Sequence, residues 1–240
     1  MTFDIPIALL YTLLSALVTL IGGALPLYTT LKHIDLRYLI GFSAGVILAV
    51  AFLDMLPELR PGTQVDFFAI GVGFFALYII EKLVMIHACG EHECKQHTVG
   101  WVSIIGIAAE SIIDGAAIAI GFAVEPSLGL LIAAAVILHE LPRGFSTSVI
   151  MRTAKFNHKK IWSFLAIDAF FTPLGALLVF AGIFSQGMLK PLLAFAAGTF
   201  IYIGASDLLP EAHKVFNIKV VGSVILGLVL VVATTLIFEV

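Results

Sequence analysis

Apolar runs of about 20 residues recur along the whole chain, the length a helix needs to cross the hydrocarbon core of a bilayer. Of the 240 residues 60% are hydrophobic and only 12% are charged, about half the charged fraction of a soluble domain. The mean hydropathy is +1.10. The runs are too long and too uniformly apolar for the alternating strands of a barrel, so helices are the spanning form. Eight spans are predicted, at about 5–28, 37–57, 66–87, 101–123, 127–150, 161–184, 191–212 and 217–238. The connections are short, so residues 1–240 read as a single transmembrane domain with no soluble part. The start, MTFDIPIALL, has neither a basic segment nor a small-residue cleavage site and reads as the first span. A net charge of −3, with no basic patch among aromatics, excludes a nucleic-acid partner and leaves the lipid bilayer.

Basic residues set the expected orientation. The loops after spans one, three, five and seven hold Lys32, Arg37, Lys82, Lys95, Arg152, Lys155, Lys159, Lys160, Lys214 and Lys219. The opposite loops hold Arg60 and Lys190, and Arg143 lies inside a span. Basic loops stay in the cytoplasm, which puts both termini outside.

Span two ends in AGVILAVAFLDMLPE and span seven in AGTFIYIGASDLLPE. At a constant offset of 153, Phe42 matches Phe195, Ala44 Ala197, Gly45 Gly198, Asp54 Asp207, Leu56 Leu209, Pro57 Pro210 and Glu58 Glu211. A Pro-Glu pair that merely marks a helix end does not account for these identities in register. The two spans cross in opposite directions, so the expected fold is all-α, with helices 1–3 and 6–8 as inverted repeats around a central pair, 4 and 5. Inverted repeats with Pro-bearing helices are a transporter signature, with the substrate site where the repeats meet. Asp54 and Glu58 then fall at the outer mouth, and Asp207 and Glu211, with His213 just beyond, at the inner one. Carboxylates four apart share a helix face, which suits stations on the way in and out.

The central pair carries the densest chemistry. Span four reads WVSIIGIAAESIIDGAAIAIGF, with Glu110 and Asp114 on one face and Glu110 roughly 14 Å along the helix from Trp101. Span five brings His139, Glu140, Pro142 and Arg143 to a similar depth. A charge there costs on the order of 3 kcal/mol, so these groups require mutual pairing or a bound ion. Glu110, Asp114 and Glu140 against Arg143 leave −2, which one divalent cation neutralises. Carboxylates with an imidazole suit a first-row transition metal better than Ca2+ or Mg2+. A polar network that only joins helices is the competing reading, and for Ser111 the simpler one. Asp168, on the Pro- and Gly-bearing sixth span, is a further candidate ligand.

With these residues in place the sequence resembles the ZIP family (Zrt/Irt-like proteins) of divalent metal transporters. The likeness covers essentially the whole chain. Its specific part is the central pair, where the family usually shows His-(Ser/Asn)-x-x-(Asp/Glu)-Gly in span four and His-Glu-x-Pro-(Glu/His) in span five. Here these read Glu110-Ser111-Ile112-Ile113-Asp114-Gly115 and His139-Glu140-Leu141-Pro142-Arg143. The resemblance implies Asp114, His139 and Glu140 as ligands, and Ser111 as a weaker one. Two positions depart together: the usual span-four His is Glu110, and the usual span-five Glu or His is Arg143. The opposite charges suggest an ion pair that replaces part of a two-metal centre and leaves one metal. Alternatively, Arg143 turns toward Asp168 and Glu110 remains a ligand.

After span three, the segment at 88–100 with its flanking His87 reads HACGEHECKQH. His87, Cys89, His92, Cys94 and His97 could capture a metal from a cytoplasmic loop, where thiols stay reduced. The expected function is transport of a divalent transition metal toward the cytoplasm. Zn2+ comes first, with Fe2+, Mn2+, Co2+ or Cd2+ as other substrates, and no cofactor. A metal sensor or transport-inactive homologue, plugged by Arg143, is the alternative. HELPR partly matches the HExxH of a membrane metalloprotease, but that chemistry needs a second His where Arg143 stands. The expected setting is the cell membrane, with a homodimer as a possible assembly.

Overall fold

The computed structural model describes residues 5–28, 36–60, 62–88, 99–153, 155–182, 186–214 and 217–238. These form eight long helices: α1 (Ile5–Tyr28), α2 (Arg37–Glu58), α3 (Gln64–Ala88), α4 (Val99–Val124), α5 (Pro126–Thr153), α6 (His158–Phe180), α7 (Leu189–Ala212) and α8 (Ile218–Phe238). No strand occurs among the described residues. A helix satisfies most of its own backbone, as apolar surroundings demand. Each matches a predicted span, with ends moved by up to four residues. Helix α3 runs through Ala88 and α4 starts at Val99, and residues 89–98 of the expected loop at 88–100 lie outside the described residues. Lone apolar residues at a span's edge do not say which turn is last.

The ends obey local chemistry. Pro126 opens α5, where its missing N–H costs nothing. The Asn157 side chain caps α6 by accepting the Lys160 N–H at 2.9 Å. Between these helices Lys155 adopts φ 60°, the left-handed turn that reverses the chain.

Both Pro-Glu helices contain a widened π turn, Val50–Met55 in α2 and Ile203–Leu208 in α7. The two segments lie 153 residues apart, the same offset as the sequence repeat. Each leads into a proline, Pro57 or Pro210, whose ring and missing N–H disrupt the regular ladder of the preceding turn.

Packing repeats the pattern. Exchanging α1 with α6, α2 with α7, α3 with α8 and α4 with α5 carries α1–α5 onto α4–α6 and α2–α8 onto α3–α7, the four most extensive contacts. Glycines make these approaches close. A Cβ on Gly45 would overlap the Val224 carbonyl, and one on Gly198, its repeat mate, the Ile70 carbonyl. Gly22 and Gly175 are also 153 apart and meet the carbonyls of Leu141 and Ile112 in the same way. The symmetry is not complete: α3 packs on α4, with no comparable contact between α8 and α5 among the described residues.

Candidate metal centre

Four helices deliver the polar groups of the middle. Helix α4 brings Glu110, Ser111 and Asp114, α5 brings His139, Glu140 and Arg143, α6 brings Asp168, and α1 brings Thr19. Ser111, Asp114, Glu140, His139 and Asp168 are all buried, at 2% exposure or less. Gly115 explains how α4 and α6 come close enough, since a side chain there would overlap the Thr172 carbonyl.

His139, Asp114 and Glu110 converge. His139 Nε2 lies 3.3 Å from Asp114 Oδ2 and 3.9 Å from Glu110 Oε1. One ligand atom from each residue falls within 4.8 Å of the other two. His139 Nδ1 sits 3.1 Å from the Ala135 carbonyl oxygen. Donating there leaves the Nε2 lone pair turned to the carboxylates, as a metal-binding imidazole requires. Apart from each other, neither Asp114 nor His139 Nε2 has a hydrogen-bond partner among the described residues. Acceptors buried face to face need a cation or a proton between them. A tetrahedral metal bound at about 2.1 Å has ligand atoms about 3.4 Å apart, so the group fits with a small movement of Glu110.

Arg143 stands beside this triad, 11% exposed. Its Nη1 lies 3.4 Å from Glu110 Oε1 and 3.7 Å from Asp114 Oδ2. Its Nη2 lies 2.6 Å from Glu140 Oε1, 2.6 Å from Ser111 Oγ and 3.1 Å from Asp168 Oδ1. Ser111 Oγ donates to Asp168 Oδ1 at 2.5 Å. The arginine therefore reaches both of the partners its sequence position allowed, Glu110 and Asp168. Ser111, Glu140 and Asp168 gather at the guanidinium; Asp114, His139 and Glu110 form the open triad. With His139 neutral, four carboxylates and one arginine leave −3.

Two supporting residues escape a reading of the sequence. Thr19 Oγ1 donates to Glu140 Oε2. Ser43 Oγ donates at 2.9 Å to the Leu138 carbonyl, the one Pro142 leaves without its helical donor. Thr19 had a signal: Thr172 and Gly175 stand 153 residues beyond Thr19 and Gly22.

A cavity of about 790 Å³ leads to the centre. Glu110, His139 and Arg143 line its floor, and Asp207, Glu211 and Lys214 its rim. Glu211 pairs with Lys214 at 2.7 Å, and His213 Nδ1 lies 3.0 Å from the Leu209 carbonyl oxygen. On the opposite side Asp54 is 3% exposed and accepts from Thr235 Oγ1 at 2.8 Å, while Glu58 is half-buried. Of the His/Cys group, the described backbone includes His87 at the end of α3; Cys89, His92, Cys94 and His97 lie outside the described residues.

Residues 86–235 match the family model described as ZIP Zinc transporter. A zinc transporter ZupT of Chlorobium phaeovibrioides is 28% identical, over 88% of this chain and 90% of its own length. A second ZupT, of Chlorobium chlorochromatii, is 26% identical over 99% and 100%. Human zinc transporter ZIP6 is 30% identical over 48% of this chain and 15% of its own. The chain belongs to the ZIP family. It is a multi-pass integral membrane protein of a family of divalent metal transporters, not enzymes, for which metal ions are transported substrates rather than cofactors.

Proposed function

We propose that the chain carries a divalent transition metal, Zn2+ before others, across the cell membrane into the cytoplasm through one central site. The observation that supports this most is the convergence of Glu110, Asp114 and His139, with no other described residue donating a hydrogen bond to Asp114 or His139 Nε2. Arg143 stands in for the charge of a second metal, so the centre takes one ion. The distribution of Lys and Arg supports placing the Asp207 and Glu211 mouth at the cytoplasm and both termini outside. On that reading the cavity is the inward-open pathway, Asp54 and Glu58 serve the closed outer mouth, and the segment after α3 receives released metal.

Uptake of Zn2+ into proteoliposomes tests the reading. Wild type should accumulate the ion, and Asp114→Ala and His139→Ala should not. A second reading has one observation in its favour: Arg143 Nη1 faces the same two oxygens as His139 Nε2. It makes Arg143 a tethered plug in a transport-inactive homologue. No flux in wild type, with flux in Arg143→Glu, would establish the plug and sink the carrier.

A further inference from the structure

The two nitrogens of the Arg143 guanidinium are held unequally. Nη2 makes contacts of 2.6, 2.6 and 3.1 Å with Ser111, Glu140 and Asp168. Nη1 makes contacts of 3.4 and 3.7 Å with Glu110 and Asp114. The first set is at hydrogen-bond distance and the second beyond it. The looser nitrogen is the one that faces the oxygens a metal would use.

We propose that Asp168 is a positioning residue: it anchors Arg143 through Nη2, keeps that charge off Glu110 and Asp114, and so sets the affinity of the centre for a divalent cation. This rests on the metal-centre reading above and assigns Asp168 as counter-ion to the arginine rather than ligand to the cargo.

Three features single out Asp168 among the partners of Nη2. Glu140 lies three residues from Arg143 on the same helix, so it travels with the arginine and cannot hold it relative to α4. Ser111 carries no charge. Asp168 comes from α6, is 2% exposed, and its Oδ1 takes both the Ser111 hydroxyl and the guanidinium, tying α4, α5 and α6 at one atom. The repeat places no second anchor opposite. At the matching position, 153 residues earlier, α1 has the neutral Ser15.

A buried arginine stripped of one carboxylate turns to those that remain. Without Asp168, two of the remaining three belong to the triad, Glu110 and Asp114. The guanidinium would then compete with the metal for Glu110 Oε1 and Asp114 Oδ2.

A double-mutant cycle on the purified full-length protein tests this, with Zn2+ affinity as the readout. Asp168→Asn should weaken binding about tenfold or more with Arg143 present, and less than about threefold in an Arg143→Gln background. Equal losses in both backgrounds would mean that Asp168 acts on the metal directly, and would overturn the proposal. No loss with Arg143 present would overturn it too. Asp168→Glu, which keeps the charge, should stay near wild type, and a loss equal to that of Asn counts against an anchoring role. If Asp168→Asn melts early without metal, the Glu variant decides. Failure of both wild type and Arg143→Gln to bind Zn2+ would sink the metal-centre reading itself. Binding by Arg143→Gln alone would leave that reading standing and show that nothing holds the arginine aside.

Discussion

His139 shows how one side chain is prepared by its own helix. Its Nδ1 is turned to the carbonyl one turn back, at Ala135, which orients the ring and commits Nε2 to the centre. Removing either of the two buried triad members should therefore abolish binding rather than trim it. Asp114→Asn and His139→Ala are each expected to lower Zn2+ affinity by about 100-fold or more, measured by competition with a fluorescent chelator. Protons compete for the same oxygens and for Nε2, because metal ligands must be deprotonated. Affinity should fall steadily between about pH 7.5 and about pH 5.5, and a flat profile would mean that the triad is not the site. Thr19 makes a different case. It donates to Glu140 from α1, so Thr19→Val leaves a buried carboxylate oxygen without its donor. A stability loss of about 1–3 kcal/mol is expected in unfolding from detergent.

At the scale of the helix, the two Pro-bearing spans share more than a motif. A proline inside a spanning helix frees a carbonyl that something must satisfy, and here the helix widens by one residue before it. Helix α5 takes another route, with Ser43 from α2 donating to the Leu138 carbonyl below Pro142. Close packing depends on residues without a Cβ, as membrane helices lack a hydrophobic drive toward one another and gain from tight contact. Gly45 and Gly198 occupy the same place in the two repeats, each against a carbonyl of the neighbouring helix. Gly45→Leu and Gly198→Leu should thus destabilise the fold to a similar extent, about 1–3 kcal/mol or more. Unequal losses, read from thermal unfolding in detergent, would show that the repeats are not mechanically equivalent.

Over the whole molecule, the repeats agree in their helices and disagree at their mouths. Asp207 is exposed on the rim of the cavity, while its mate Asp54 is buried against Thr235. Two copies of one motif in two environments are what a transporter shows when one side is open and the other shut. In a background without Cys89 and Cys94, a water-soluble thiol reagent should modify Asp207→Cys readily and Asp54→Cys far more slowly. Addition of Zn2+ should change the ratio if the two mouths exchange roles during transport. An unchanged, equal reactivity at both positions would mean that the asymmetry is not present in the membrane.

How much was legible in the chain depends on how local the cause is. Span number and the inverted repeat were readable because lipid tolerates only long apolar helices, and because an offset of 153 survives in Asp54, Pro57 and Glu58. The acids and the imidazole of α4 and α5 were readable as a group, since charges at that depth demand a purpose. Ser43 was hidden, and Thr19 showed only through its repeat mate Thr172, as a hydroxyl satisfies itself within any membrane helix and does not name a partner over 90 residues away. The sequence by itself determined that a cation meets buried carboxylates in the middle of a membrane bundle. Only the tertiary structure decided which acids face His139 and which face Arg143. That division follows from the rotation and spacing of three helices held at glycine contacts, and no residue's identity encodes it alone.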